Sequence, residues 1–154
     1  MDRDTLNRMY RYAYALCHQQ EQAYDLVQSV VTKLLAKGTD LSATPLPYLL
    51  TSIRNLHIDQ YRRDQRHPHV ELVESISDQS RYFDDVCTRM EAETLLETMS
   101  SEERELIYLN SVEGYSAQEI ADMREAPRGT ILARIHRLKA KVKQKLAHKT
   151  EGIK

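Results

Sequence analysis

Apolar residues recur at helical spacing along most of the chain, and the places where that spacing fails mark its joints. Leu6, Met9 or Tyr10, Ala13, and Leu16 or Cys17 share a face, which predicts a first helix from Leu6 to Leu16. A polar break, His18-Gln19-Gln20, ends it. Ala23, Leu26 or Val27, Val30 and Leu34 predict a second helix from Glu21 to Ala36. Val27, Val31 and Leu35 widen its stripe, as expected of the central helix of a bundle. Gly38, Thr39 and Asp40 close it, and a loop follows. Leu49, Leu50, Ile53, Leu56 and Tyr61 make the stripe of a third helix, Pro47 to Arg63. Asn55 in its middle is unfavourable by propensity, so a buried hydrogen bond or a contact is expected of it.

From Asp64 to Asp84 the pattern fails in a turn-rich, polar, acidic stretch. Periodicity resumes with Met90, Thr94 or Leu95, and Met99, predicting a helix from Cys87 to Met99. Ser100 and Glu103 form a capping box for the next helix, which carries Leu106, Ile107 and Leu109 and ends at Glu113-Gly114, with Gly114 as a left-handed cap. A second capping box, Ser116 with Glu119, opens a short helix from Ala117 to Arg124. Pro127 breaks it, and Arg128, Gly129 and Thr130 start a longer helix with Ile131, Ile135, Leu138 and Val142 on one side. Short helix, tight break and basic helix are the layout of a helix-turn-helix, which places its second helix in the DNA major groove. The expected fold is therefore all-α: a domain over 1–63, a flexible acidic linker over 64–84, and a domain over 85–154 that ends in the helix-turn-helix.

Charge sharpens this reading. The net charge of −1 conceals an uneven distribution. Residues 1–63 hold eight bases and six acids, residues 64–127 five and sixteen, and residues 128–154 nine and one. The C-terminal cations are what non-specific phosphate binding requires, because released counterions drive it. Four glycines, four prolines and no tryptophan in 154 residues agree with an all-α chain. No apolar run reaches the length of a membrane span and no signal peptide is evident, so membrane insertion is not expected and a cytoplasmic protein is. Cys17 and Cys87 have no zinc-like spacing and read as buried free thiols. His67 and His69 flank Pro68 without a third ligand, so no metal is expected. No catalytic constellation or cofactor loop is present either; the chain does not read as an enzyme.

Four blocks then fall into a family pattern. They are Ala23-Tyr-Asp-Leu-Val-Gln, the run Pro47 to Arg63, Glu113-Gly-Tyr-Ser-Ala-Gln-Glu-Ile-Ala, and Pro127-Arg-Gly-Thr-Ile-Leu-Ala-Arg-Ile-His-Arg-Leu. In order and spacing they resemble the extracytoplasmic function (ECF) sigma factors of the sigma-70 family. The resemblance implies an alternative sigma factor that brings core RNA polymerase to specific promoters. Asp25 and Gln28 correspond to the contact with the beta-prime clamp helices, and the beta subunit is a further expected partner. The loop from Gly38 to Thr44, with Asn55 at its base, corresponds to the −10 reading pocket, and Arg54, Arg62 and Arg63 to its phosphate contacts. Arg128, Thr130, Arg134, Arg137 and Lys141 correspond to the −35 contacts. The acidic linker corresponds to a segment threading the polymerase, where it mimics nucleic acid. The resemblance also implies an anti-sigma factor, or another activating or inhibiting partner. A stand-alone helix-turn-helix regulator is the alternative, but it has no use for Asp25, Gln28 and Asn55 in a separate domain. Two departures stand out. Gln22-Ala-Tyr-Asp25 replaces an acidic run, which leaves room for an activator or modification to supply charge. Arg124-Glu125 stands where the family prefers Leu and Gly, which leaves the geometry of the turn open while Pro127, Gly129 and Thr130 hold the register.

Overall fold

A computed structural model describes residues 1–66 and 93–152 of the chain. Helix α1 (Arg3–Cys17) starts on Asp2, whose carboxylate accepts the Thr5 N–H at 3.1 Å. It ends at His18 in the left-handed region, φ 56°, with the His18 N–H on the Tyr14 carbonyl. Helix α2 (Gln20–Ala36) ends in a Schellman motif. The Thr39 N–H bonds to the Leu34 carbonyl and the Gly38 N–H to that of Leu35, with Gly38 at φ +81°. A 3-10 turn, Leu41–Ala43, leads to α3 (Leu46–Arg66), which runs three residues past its expected end.

The three helices pack on one another. Met9, Tyr12, Ala13 and Leu16 of α1 meet a core that holds Ala23, Leu26, Val27, Val30 and Leu34 of α2 and Leu49, Leu50, Ile53 and Leu56 of α3. The expected stripes are right at their centres and wrong at their margins. Tyr12 is buried, whereas Leu6 is exposed in the first turns of α1, ahead of the first core residue Met9. Leu35 is 58% exposed because it lies roughly 100° round α2 from Leu34. Tyr61 is 59% exposed because α3 outruns its core after Leu56.

The second unit begins, in the described residues, with helical turns over 93–97 (α4) and buried Met99. The Ser100–Glu103 capping box is present and starts α5 (Ser101–Ile107). That helix passes directly into a π-helical turn over Tyr108–Val112, which periodicity did not announce. The turn is closed by the Tyr108 hydroxyl donating to Glu113 at 2.6 Å and by the Asn110 amide donating to the Tyr115 carbonyl at 2.9 Å. Gly114, at φ +81°, then turns the chain into the second capping box. Helix α6 (Ala117–Arg124) and helix α7 (Arg128–Gly152) follow. Ile120 and Ala121 of α6 and Ile131, Ile135 and Leu138 of α7 join Leu106 and Leu109 in the core; Val142 is only half-buried.

The chain thus divides into two compact units, Met1–Met90 and Glu91–Lys154. From residue 67 onward the expected linker lies outside the described residues, as do His67, His69, Cys87 and the start of the helix expected at Cys87. Cys17 is a half-buried thiol outside any disulfide among the described residues, its Sγ 4.0 Å from His57 Nδ1. No described helix is long and apolar enough to cross a membrane.

Candidate nucleic-acid interface

The turn between α6 and α7 sets the aim of the basic helix. Glu125 takes the left-handed conformation, φ 53°, at which glycine is the usual residue. The Ala126 N–H reaches the Ala121 carbonyl at 3.0 Å and the Glu125 N–H the Asp122 carbonyl at 3.4 Å, which completes a Schellman motif. This settles the geometry that the sequence left open: Glu125 adopts the backbone a glycine would, at a steric cost of about 1–2 kcal/mol. Pro127 then offers its carbonyl to the Thr130 and Ile131 N–H groups, and α7 begins.

Arg124 fills the other unusual position. Its side chain is only 6% exposed. Nη2 lies 3.2 Å from Glu102 Oε2, and Nη1 lies 3.7 Å from Oε1 of Glu105, itself 2% exposed. The second distance is a Coulombic contact and not a hydrogen bond, and Arg124 Nε and Nη1 have no hydrogen-bond partner among the described residues. Arg124 therefore ties α6 to α5 electrostatically.

Helical geometry places Thr130, Arg134, Arg137 and Lys141 on one face of α7. Arg128, exposed at the first turn, lies roughly 160° round the helix from Thr130. The shared face borders a groove against α5, lined by Ser100, Glu102, Glu103, Leu106, Arg134, Arg137, Leu138 and Lys141. Arg134 Nη1 donates to Glu102 Oε2 at 3.1 Å. Lys141 Nζ donates to both Glu103 oxygens, at 3.2 and 3.4 Å. Arg137 makes no ion pair among the described residues. The Glu103 carboxyl is held below the usual carboxylate range, first by the Ser100 backbone N–H and then by Lys141, against the effect of partial burial. Two of the cations expected on DNA are thus already neutralised within the unit.

In the first unit, Asp25 and Gln28 are exposed one turn apart on α2, with Tyr24 beside them 56% exposed. Asn55, Arg62 and Arg63 are exposed on α3, and Arg54 is half-buried. Asn55 and Arg62 are seven residues apart and share a face with Tyr48. The Asn55 side chain makes no hydrogen bond within the described residues, so the buried-bond expectation for it falls away. The loop beside α3 has internal order. Asp40 accepts the Ser42 N–H at 3.1 Å and its hydroxyl at 2.7 Å, and the Thr44 hydroxyl donates to the Asp40 carbonyl at 2.8 Å. The Ser42 bonds hold the Asp40 carboxyl below its ordinary value. Among the described residues no group of three or more His, Cys, Asp or Glu could hold a metal ion.

Sequence reasoning missed Glu102, Glu103 and Glu105 as members of this interface. The capping box revealed Glu103 as a cap, but nothing local ties it to Lys141, 38 residues away.

Comparison with known proteins agrees with both units. Residues 1–67 match the family model for Sigma-70 region 2, and residues 89–142 match that for Sigma-70, region 4. A solved structure of the sigma factor RpoE from Bartonella quintana, crystallised with the anti-sigma factor NepR, is similar in fold. Its TM-score is 0.70 at 24% identity, over 93% of this chain and 92% of that one.

Proposed function

The chain belongs to the sigma-70 family of transcription initiation factors, and we propose that it falls within the extracytoplasmic function group and that its residues divide the work as follows. It is an alternative sigma factor that directs RNA polymerase to specific promoters. The observation that carries this function is the pair of region 2 and region 4 matches, in order, on one chain.

We assign Asp25 and Gln28, exposed on α2, to the beta-prime clamp helices of core polymerase. Asn55 is assigned to a base of the −10 element. Its exposure and lack of an internal partner support a contact role, because opening a promoter requires capture of unpaired bases. Arg54, Arg62 and Arg63 are assigned to backbone phosphates nearby. Thr130, Arg134, Arg137 and Lys141 of α7, with Arg128 at its start, are assigned to the −35 element. The factor catalyses nothing itself and works in the cytoplasm. The RpoE relative was crystallised with an anti-sigma factor, and we propose that this chain is held by a partner of the same kind. The exposed apolar side chains of Tyr24, Leu35, Tyr48 and Tyr61 offer it surface in the first unit.

Run-off transcription with core polymerase and a promoter library tests the reading. Discrete transcripts that depend on the added chain are expected. Tight duplex binding with no transcript from any promoter would overturn it.

A further inference from the structure

We propose that Glu102 and Glu103 are a built-in brake on phosphate-driven DNA binding: they neutralise the DNA-facing cations of α7 and thereby hold down binding to arbitrary duplex. This rests on the assignment of the Arg134–Arg137–Lys141 face to DNA.

Both acids are fixed from behind. Glu102 Oε2 is shared between Arg134, at 3.1 Å, and the guanidinium of buried Arg124, at 3.2 Å. Arg124 cannot leave, so Glu102 stays in front of Arg134. Glu103 is fixed by the Ser100 N–H at 3.0 Å, as the second half of the capping box, and from there it meets Lys141. The next cation along α7, Lys145, also turns toward its own unit, with Nζ 2.8 Å from Thr98 Oγ1. A phosphate that approaches this face meets two anchored carboxylates and must break two ion pairs. On a cognate site, base-edge hydrogen bonds offset that loss. On an arbitrary duplex nothing does, because phosphate contacts are the whole of the binding. The acids therefore lower affinity for any duplex, and only a site that adds base contacts stays occupied against that penalty.

The test uses the full chain and a duplex of about 30 base pairs of random sequence, with binding read by fluorescence anisotropy across a salt series. E102Q/E103Q is expected to bind about three- to tenfold tighter at low salt, as the release of two exposed pairs allows. Its slope of log K against log salt should steepen by about 1–2 as two phosphate contacts are gained. Adding R134A/K141A to that variant should abolish the gain. Glutamine at 103 can still close the capping box, and E103Q alone leaves the Arg124–Glu102 pair in place. It should gain about twofold and carries the test if the double variant melts early. Unchanged or weaker random-duplex binding by E102Q/E103Q, or by E103Q in that case, overturns the inference. If R134A/K141A in the natural background also leaves promoter-duplex binding unchanged, the assignment of this face to DNA falls as well; if it weakens that binding, the assignment stands alone.

Discussion

Arg124 is the residue whose surroundings say most about this chain. Two of its nitrogens are buried without hydrogen bonds among the described residues, and its ion pair with Glu105 is long. Buried pairs of this quality add little net stability, because desolvation consumes the Coulombic gain. Removing one partner is a different matter. Arg124→Leu alone should destabilise the second unit by about 3 kcal/mol, since it takes one partner from a buried ion pair. Arg124→Leu with Glu105→Leu should recover most of that loss, and urea unfolding of both variants by circular dichroism checks the pair. Recovery that fails would mean the guanidinium has a role beyond matching Glu105. Glu125 gives a simpler expectation. At φ 53° a glycine avoids the Cβ strain but adds chain entropy, so Glu125→Gly should stabilise by about 0.5–1 kcal/mol in the same measurement.

At the scale of elements, helix and turn starts in both units depend on carboxylates. Asp2 caps α1, Asp40 caps the 3-10 turn and Glu103 closes the box on α5. Each is depressed below its ordinary value, chiefly by the hydrogen bonds it accepts: from Thr5, from Ser42 and from the Ser100 N–H respectively. A depressed folded-state value means stability that is complete above the unfolded value and lost as pH falls through the folded one. Stability should therefore be flat from neutrality down to about pH 5 and decline below about pH 4, where these acids begin to protonate. A pH series of urea midpoints checks this, and a midpoint that rises on acidification would contradict it. Helix α2 carries the other element-scale expectation. Tyr24 is exposed beside Asp25, on the segment where the family's acidic run is depleted. Tyr24→Glu should strengthen binding to core polymerase several-fold if that surface meets basic groups, with affinity measured on purified components. No gain would indicate that this chain relies on apolar contact there.

At the scale of the whole molecule, the proposed assignment of one unit to the −10 element and the other to the −35 element makes promoter choice a two-point grip. The grip predicts a separation of effects. Asn55→Ala should abolish transcription while leaving −35 duplex binding intact, because the residue sits in the unit assigned to the −10 element. Arg137→Ala should weaken both, by roughly 1–3 kcal/mol in duplex binding if it reads a base. Gel shift on a −35 duplex and run-off transcription, made on the same preparations, distinguish the two patterns. Loss of duplex binding in Asn55→Ala would place that side chain in the wrong unit.

Much of this was legible in the sequence because it is local. Helix α6 runs from Ala117 to Arg124 as its capping box and proline required, and α7 starts at Arg128 for the same reason. Stripe centres such as Leu26, Val30, Leu50, Ile53, Ile131 and Leu138 are buried because a 3.6-residue period leaves them no other side to face. The basic C-terminal helix was visible for what it is. Stripe margins were not legible: whether Leu6, Leu35 or Tyr61 is covered depends on where a neighbouring helix stops. Nor was the partner of each charge. Glu102 meets Arg134 across 32 residues and Glu103 meets Lys141 across 38, and no spacing rule links such positions. Sequence by itself thus determined which segments are helices, how they begin and end, and where positive charge collects. Tertiary packing alone decided which of those charges stay available to DNA, because the packing of α5 against α7 places two fixed carboxylates before the arginine and lysine expected to meet the phosphates.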